Sequence, residues 1–135
     1  MRDFTASLKA FWMRQDFLRI CRTNVVKGPD GPIMSQLTLF GIFGFHLRIH
    51  RFYRGDGELF HTHPRGFVSV CLVGSYHERL CPDGERLVKA GTVTIRKASD
   101  AHNVTPVKFP CVTLAITTPV INKWRKLTEG ECHDF

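Results

Sequence analysis

The sequence lacks the long apolar stretches of a membrane protein. None of its hydrophobic runs approaches the roughly 18 residues that a transmembrane helix requires. The first twelve residues, MRDFTASLKAFW, include acidic and basic side chains and are too polar for the core of a signal peptide. We therefore expect a cytoplasmic protein that makes no membrane contact.

Cysteine pairs at metal-binding or redox spacing are also absent. The five cysteines are odd in number and form no Cys-x-x-Cys motif, which argues against a disulfide framework and against a zinc ribbon. Cys71 and Cys111 lie inside apolar runs, where cysteine behaves as a small hydrophobic residue. We expect reduced, structural thiols.

Dense clusters of one charge are missing as well. The formal net charge is +7, but the lysines and arginines occur in small, dispersed groups, and no helix-turn-helix pattern is present. A solvated basic surface accounts for this charge, and an anionic small substrate or a weak contact with nucleic acid remains as an alternative.

The chain does have the length and composition of one soluble domain over residues 1–135, with 43% hydrophobic and 23% charged residues. An amphipathic stripe formed by Phe4, Leu8, Phe11 and Trp12 predicts a short N-terminal helix over about 3–15. After it, GPDGP at 28–32 and PDG at 82–84 are strong turn signals.

Short runs broken by glycine, proline and aspartate fill the rest of the sequence. About ten closely spaced strands favour an all-β barrel or jelly roll over about 17–127, rather than a parallel α/β sheet. We predict strands near 33–40, 44–53, 57–63, 67–73, 75–80, 86–89, 92–96, 101–105, 111–117 and 120–127.

Alternation gives the side-chain directions along two of these strands. In the strand near 44–53, three apolar residues share one face and three polar residues share the other: Phe45, Leu47 and Ile49 against His46, Arg48 and His50. The pattern does not say which face points into the barrel, and we expect His46 at the surface. His61 and His63 project from the same face of their own strand.

Two histidines at i and i+2 on a strand have the spacing to ligate one ion, because metal–nitrogen distances of about 2.0–2.1 Å demand close approach. A third histidine, His102, follows about forty residues later, after the AGTVTIRK strand. These three residues are the candidate metal ligands.

The segments GDGELFHTHPRGFVSVCLVG (55–74) and GTVTIRKASDAHN (91–103) resemble the two motifs of the cupin superfamily. More narrowly, HTHPRGFVSVCLVGSYHE (61–78) is similar to the His-x-His-Pro-(Trp/Arg) signature of short cupin-like proteins from phages and bacteria. Those proteins share LRIHRF (47–52), GSYHE (74–78) and a C-terminal Trp then Glu-Gly, here at 124 and 129–130. The resemblance implies a single cupin domain with a double-stranded β-helix, and places it in a bacterium or, if phage-encoded, in the host cytoplasm.

The resemblance is incomplete at the metal site. The glutamate that follows the second histidine in cupins is replaced by Gly66 and Phe67, and the proline–glycine turn before His102 is absent. What remains resembles the open three-His iron site of cupin thiol dioxygenases. It implies a divalent transition metal (Fe, Mn, Ni or Zn) whose uncompensated charge favours an anionic ligand.

Other residues are candidates for supporting roles. Glu78 and Asp56 are each a salt-bridge or turn residue, or else a partner that orients a ligand histidine. His50, Arg48 and Glu78 are the candidate pocket residues.

The resemblance leaves two functions open. The first is a metal-dependent enzyme, of oxygenase or isomerase type, acting on a small molecule. In this enzyme Tyr76 is a candidate acid, and Arg65 or Arg48 is a candidate clamp for a substrate carboxylate or phosphate. The alternative is a structural role: Tyr76 would pack in the barrel, and Arg65 would belong to a segment that turns the chain. The second is a non-enzymatic module that binds a small molecule or a protein. We expect a homodimer, as is common among cupins, and regard nucleic-acid binding as the weakest option.

Overall fold

The computed structural model describes residues 18–28, 31–57 and 59–135. The predicted helix over 3–15 lies outside the described residues. Within the described part of the chain, no helix is long and apolar enough to cross a membrane.

The described residues form nine strands and one short helix. Their bounds are β1 Leu18–Gly28, β2 Gly31–Ile42, β3 Phe45–Phe52, β4 Phe60–His61, β5 Phe67–Leu80, β6 Glu85–Lys89, β7 Val93–Arg96, β8 His102–Thr117, β9 Lys126–Leu127 and α1 Glu129–His133. The predominance of strands confirms the expectation of a mostly β fold.

All strand pairings are antiparallel and belong to one curled sheet. The order β1-β2-β3-β8-β4-β9 forms one path, and β5 pairs with β8, β6 and β7. Strand β8 is central because it pairs with β3, β5 and β4 along its 16 residues. The sheet therefore brings β4, β5 and the start of β8 together.

Several predicted boundaries were wrong. The two strands predicted at 67–73 and 75–80 are one long strand, β5. Those predicted at 101–105 and 111–117 are likewise one strand, β8. A change of register between Cys71 and Tyr76 bends β5 without ending it. At this bend Gly74 has φ +77°, and a Cβ there would lie 2.2 Å from the carbonyl oxygen of Pro110, so only glycine fits.

The strand over 18–28 was not predicted, and the one predicted over 120–127 is reduced to residues 126–127. Both turn signals are confirmed. β1 and β2 form a hairpin in which Gly28 pairs with Gly31, and β5 turns into β6 through 81–84, where the Leu80 amide donates to the Gly84 carbonyl at 2.8 Å.

The central strands bury small or polar residues and expose large apolar ones. In β8, Thr113 and Ala115 are buried, whereas Ile116 is 57% exposed. In β7, Thr94 is buried and Ile95 is 67% exposed. Along β7 and the second half of β8, the inner face is therefore small or polar and the outer face is apolar.

The burial of β3 shows which of its two faces points inward. His46 is 1% exposed, whereas Phe45 is 49% exposed, so the expectation of a surface His46 was wrong. The polar face, which also carries Arg48 and His50, points inward. Phe52, at the end of that face, packs against the buried ring of Tyr76 with ring centroids 5.8 Å apart.

The cysteine prediction was wrong in one respect. Cys81, after β5, and Cys132, in α1, form a disulfide with their Cα atoms 5.0 Å apart. It closes a small apolar cluster with Phe60 and Leu127 that holds the C-terminal segment against β4. As expected, Cys71 and Cys111 are buried free thiols.

Candidate metal centre

Three histidines from two neighbouring strands meet at one point. His61 ends β4 and pairs in the ladder with His102, the first residue of β8. His63 follows on the same side, held by a hydrogen bond from its amide to the carbonyl of Ala98 at 3.1 Å. One nitrogen from each ring lies within 4.8 Å of the other two, and the Nε2 atoms of His63 and His102 are 2.8 Å apart. We call these residues the three-His cluster.

The backbone around the cluster is fixed by residues distant in sequence. Thr62, between two of the histidines, binds the C-terminal segment: its amide donates to the carbonyl of Arg125 and its hydroxyl to that of Lys123. The side-chain amide of Asn103 donates to the carbonyls of Gly57 and Leu59, both at 2.8 Å, and so holds the segment that leads into β4.

Glu78 orients His102 from behind. Its Oε2 lies 2.7 Å from His102 Nδ1, so Nδ1–H donates to the carboxylate and Nε2 is left towards the cluster. The Glu78 side chain is fully buried and also accepts from Arg86 at 3.0 Å and from Arg96. Burial alone raises the pKa of Glu78, but the hydrogen bonds from His102 and Arg96 outweigh it and lower this pKa to about 2.

Asp56 lies against the ring of His61. Its Oδ2 is 3.3 Å from His61 Nδ1 and also accepts from the amide of Val104 at 2.8 Å. Glu78 therefore fills both roles considered for it, since it pairs with Arg86 and Arg96 and also orients His102. For Asp56 the contact favours orientation of His61, which lies close to it in the chain, whereas Glu78 and His102 are 24 residues apart and no local spacing links them.

Burial disfavours protonation of two of the cluster histidines. It lowers the pKa of His61 to about 3 and that of His63 to about 2, with smaller contributions from the charge of neighbouring His102. A metal ion requires neutral imidazole ligands. Three converging ring nitrogens, from imidazoles two of which contact carboxylates, fit a divalent transition metal.

Phe67 lies where the cupin motif would carry a carboxylate. Its ring meets the ring of His63 edge to face, with centroids 5.3 Å apart. Among the described residues, the potential metal-binding group consists of the three histidines without a carboxylate.

The predicted pocket residues His50 and Arg48 lie on the inward face of β3. Nε2 of His50 is buried and has no hydrogen-bond partner among the described residues. Nε of Arg48 donates to the buried hydroxyl of Thr38 at 3.1 Å. Burial, and secondarily the charge of Arg48, lowers the pKa of His50 to about 4.

The candidate catalytic residues Tyr76 and Arg65 have structural surroundings. Tyr76 is 4% exposed in the core, and burial raises its pKa to about 12. Arg65 donates to the carbonyls of Gly44 at 2.5 Å and Thr118 at 2.9 Å, joining the β2–β3 turn to the end of β8. These contacts favour packing for Tyr76 and chain anchoring for Arg65.

An open groove of about 660 Å³ is lined by apolar side chains of the outer face, among them Phe45, Val68, Ile95 and Ile116. Its lining also includes Phe67, whose ring contacts that of His63, so the groove borders the cluster.

No protein-family profile matches this sequence, and no curated protein matches it closely. Solved structures do match. A cupin-2 domain protein from Rhodospirillum rubrum has a TM-score of 0.62 at 15% identity, over 82% of this chain and 77% of that one. Iron(II) HppE has a TM-score of 0.61 at 13% identity, over 72% of this chain and 56% of that one. KdgF from Halomonas sp. has a TM-score of 0.56 at 11% identity, over 70% of this chain and 87% of that one.

At these identities the similarity establishes the fold. A further match, an uncharacterized conserved protein from Klebsiella pneumoniae described as having a double-stranded beta-helix domain, has a TM-score of 0.55 at 16% identity, over 76% of this chain and 89% of that one. The chain therefore has the cupin-type, double-stranded β-helix fold, as the sequence resemblance implied. It spans little more than half the length of HppE.

Proposed function

We propose that the three-His cluster binds a divalent transition metal and that the protein acts as a metal-dependent enzyme on a small, anionic molecule. The observation that carries the proposal is the convergence of three imidazoles, two of which contact a carboxylate through Nδ1. Metal-ligating histidines usually have such a partner on the ring nitrogen that does not bind the ion.

His61, His63 and His102 would hold the ion. Glu78 accepts a hydrogen bond from Nδ1–H of His102 and so fixes the tautomer and orientation of that ring, and the Asp56 carboxylate lies 3.3 Å from Nδ1 of His61. A bound ion would supply Lewis acidity towards a substrate carbonyl or, if it is iron, one-electron chemistry with dioxygen.

The comparisons support this proposal at the level of class. HppE is described in its iron(II) form and in complex with substrate. Another matching chain comes from work described as crystal structures of DMSP lyases. These activities belong to those proteins, and the likeness supports the same kind of site in this chain.

The test is metal content after purification without added metal, compared among the unaltered chain, His61→Ala, His102→Ala and His77→Ala. His77 lies on the surface in an ion pair with Glu85 and is the matched control. We expect about one equivalent of a transition metal in the unaltered and control proteins, and a loss in the two cluster variants. Equal metal content in all four proteins would refute the site.

A protein that holds metal and a ligand without turnover is the second candidate. This candidate is favoured by one observation: among the described residues, the cluster has no carboxylate ligand and so differs from the usual cupin ligand set. Product formation from a panel of small carboxylates with the metal-loaded protein separates the two functions.

A further inference from the structure

The C-terminal segment, residues 123–132, holds the backbone that carries two of the three cluster histidines. His61 of β4 pairs in the ladder with Lys126 of this segment. The next residue, Thr62, makes two hydrogen bonds to carbonyls of the segment, at 2.9 Å from its amide and at 3.0 Å from its hydroxyl. The positions of His61 and His63 therefore depend on where the C-terminal segment lies.

The C-terminal segment has little secondary structure of its own. Its strand β9 has two residues and its helix α1 has five, and elements this short are not stable by themselves. On the exposed side of α1, Glu129 pairs with Arg79 at 2.9 Å, and an exposed ion pair contributes little. On the buried side, the Cys81–Cys132 disulfide joins the segment covalently to the chain just after β5.

This disulfide lies directly behind the three-His cluster. The amide of Cys81 donates to the carbonyl of Ala101 at 3.0 Å, and Ala101 immediately precedes His102. Cys132 packs in the same small apolar cluster as Phe60, the first residue of β4. The bond therefore fixes the C-terminal segment at the point where β4 meets the start of β8.

The main apolar core lies apart from the disulfide. It includes the free thiols of Cys71 and Cys111, whereas Cys81 and Cys132 belong to the separate cluster around Phe60. Breaking the bond should therefore loosen the C-terminal segment and leave the sheet folded. Cys132 is 3% exposed and Cys81 is only partly buried, so Cys81 is the more accessible end of the bond.

We propose that the Cys81–Cys132 disulfide controls metal binding: the three-His cluster binds its ion tightly while the bond is intact and weakly once a cellular dithiol has reduced it. A thiolate of the dithiol attacks the sulfur of Cys81, the S–S bond breaks, and Cys132 leaves as a thiolate that takes up a proton. The second thiol of the reagent then displaces Cys81, which is protonated in turn. The two cysteines have gained two electrons and two protons, and the dithiol has become a disulfide.

The inference rests on the proposed function and deepens it by naming a regulation of the same site. Affinity falls on reduction because His61 and His63 lose the fixed backbone that holds them beside His102, so the ion must order them at a cost in conformational entropy. Loss of the contacts that support metal ligands typically lowers metal affinity about 10–100-fold.

The probe is Co²⁺ alone, titrated into the full-length protein in its oxidised form, after reduction, and as the double variant Cys81→Ala/Cys132→Ala. Reduction uses a phosphine, which takes oxygen from water to become a phosphine oxide and is removed under argon before the titration. The double variant has neither thiol, so it separates loss of the bond from Co²⁺ binding by the new thiols. The matched control is Glu129→Gln, which removes the exposed ion pair of α1 and keeps the disulfide.

We expect the oxidised protein and Glu129→Gln to bind Co²⁺ equally, and the reduced protein and the double variant to bind it about 10–100-fold more weakly. Backbone hydrogen exchange of the metal-free proteins is the second measurement. Loss of the bond should accelerate exchange in residues 60–63 and 123–132 and leave it unchanged in the second half of β8, residues 111–117.

The inference is overturned, with the metal site intact, if the oxidised and reduced proteins bind Co²⁺ equally or if the double variant binds it as tightly as the oxidised chain. Accelerated exchange throughout the sheet, or none in residues 60–63, also overturns it, because the effect is then global unfolding or has another origin. Failure of the oxidised protein to bind Co²⁺ at all refutes the proposed function instead, and the inference with it.

Discussion

Replacing Glu78 by glutamine tests the buried network behind the cluster. The substitution keeps the size of the side chain and removes a charge that is fully buried among Arg86, Arg96 and His102. A carboxyl group whose pKa falls from 4.5 to about 2 on folding contributes about 3 kcal/mol to the free energy of unfolding at neutral pH. Breaking a buried ion pair from one side costs a similar amount, about 3–5 kcal/mol.

Urea denaturation of the metal-free protein at pH 7 measures this loss. The matched control is Glu85→Gln, on the adjoining strand β6. The Glu85 side chain is 62% exposed and pairs with His77 at 2.7 Å, so its removal should cost at most about 1 kcal/mol. Glu78→Gln should also lower metal affinity about 10–100-fold, because His102 loses its charged partner.

The stabilising contribution of Glu78 should decrease as the pH falls. Because the pKa of Glu78 is lowered in the folded state, its contribution is present above pH 4.5 and is lost as the pH falls towards 2. The difference in unfolding free energy between the unaltered protein and Glu78→Gln should therefore shrink by about half at pH 3. Equal effects of the Glu78 and Glu85 substitutions at pH 7, or a difference that does not change with pH, would refute the reasoning.

Three further predictions concern other parts of the fold. The pKa of His50 is lowered to about 4 in the folded protein, so the folded state loses stability relative to the unfolded state as the pH drops below 6.5. Between pH 7 and pH 5, the unfolding free energy measured with urea should therefore fall by about 2 kcal/mol less in His50→Gln than in the unaltered protein. An equal fall in the two proteins would contradict this. Reducing the Cys81–Cys132 disulfide, which spans 51 residues, with a dithiol should lower the unfolding free energy by about 4 kcal/mol, and identical thermal transitions before and after reduction would exclude the bond. The apolar outer face should pair two copies of the chain, so sedimentation should report a dimer for the unaltered protein and a monomer for Ile116→Asp; a monomer in both disproves the pairing.

Local patterns in the sequence determined part of the candidate site. His61 and His63 were predicted to project to the same side because alternation is a property of the extended backbone, and both belong to the cluster even though β4 ends at His61. His102 was found through a motif of its own, and pairing across the ladder brings it beside His61. The mostly β character followed from the same short-range patterns.

The strand bounds needed more than local information. Pro106 and Pro110 cannot donate to a ladder and suggest a break, yet β8 continues through both because β5 pairs with it on either side of them. Cys81 and Cys132 pair across 51 residues, a contact that no local spacing reveals. Both outcomes depend on contacts between distant segments.

What the sequence alone determined is which side chains share a face: His46, Arg48 and His50 on one, Phe45, Leu47 and Ile49 on the other. Only the tertiary structure decided that the polar face points inward, because the curl of the whole sheet sets which side is the interior. The same long-range packing brought Glu78 to His102. Alternation fixes relative direction within a strand, and the closure of the sheet fixes its absolute direction.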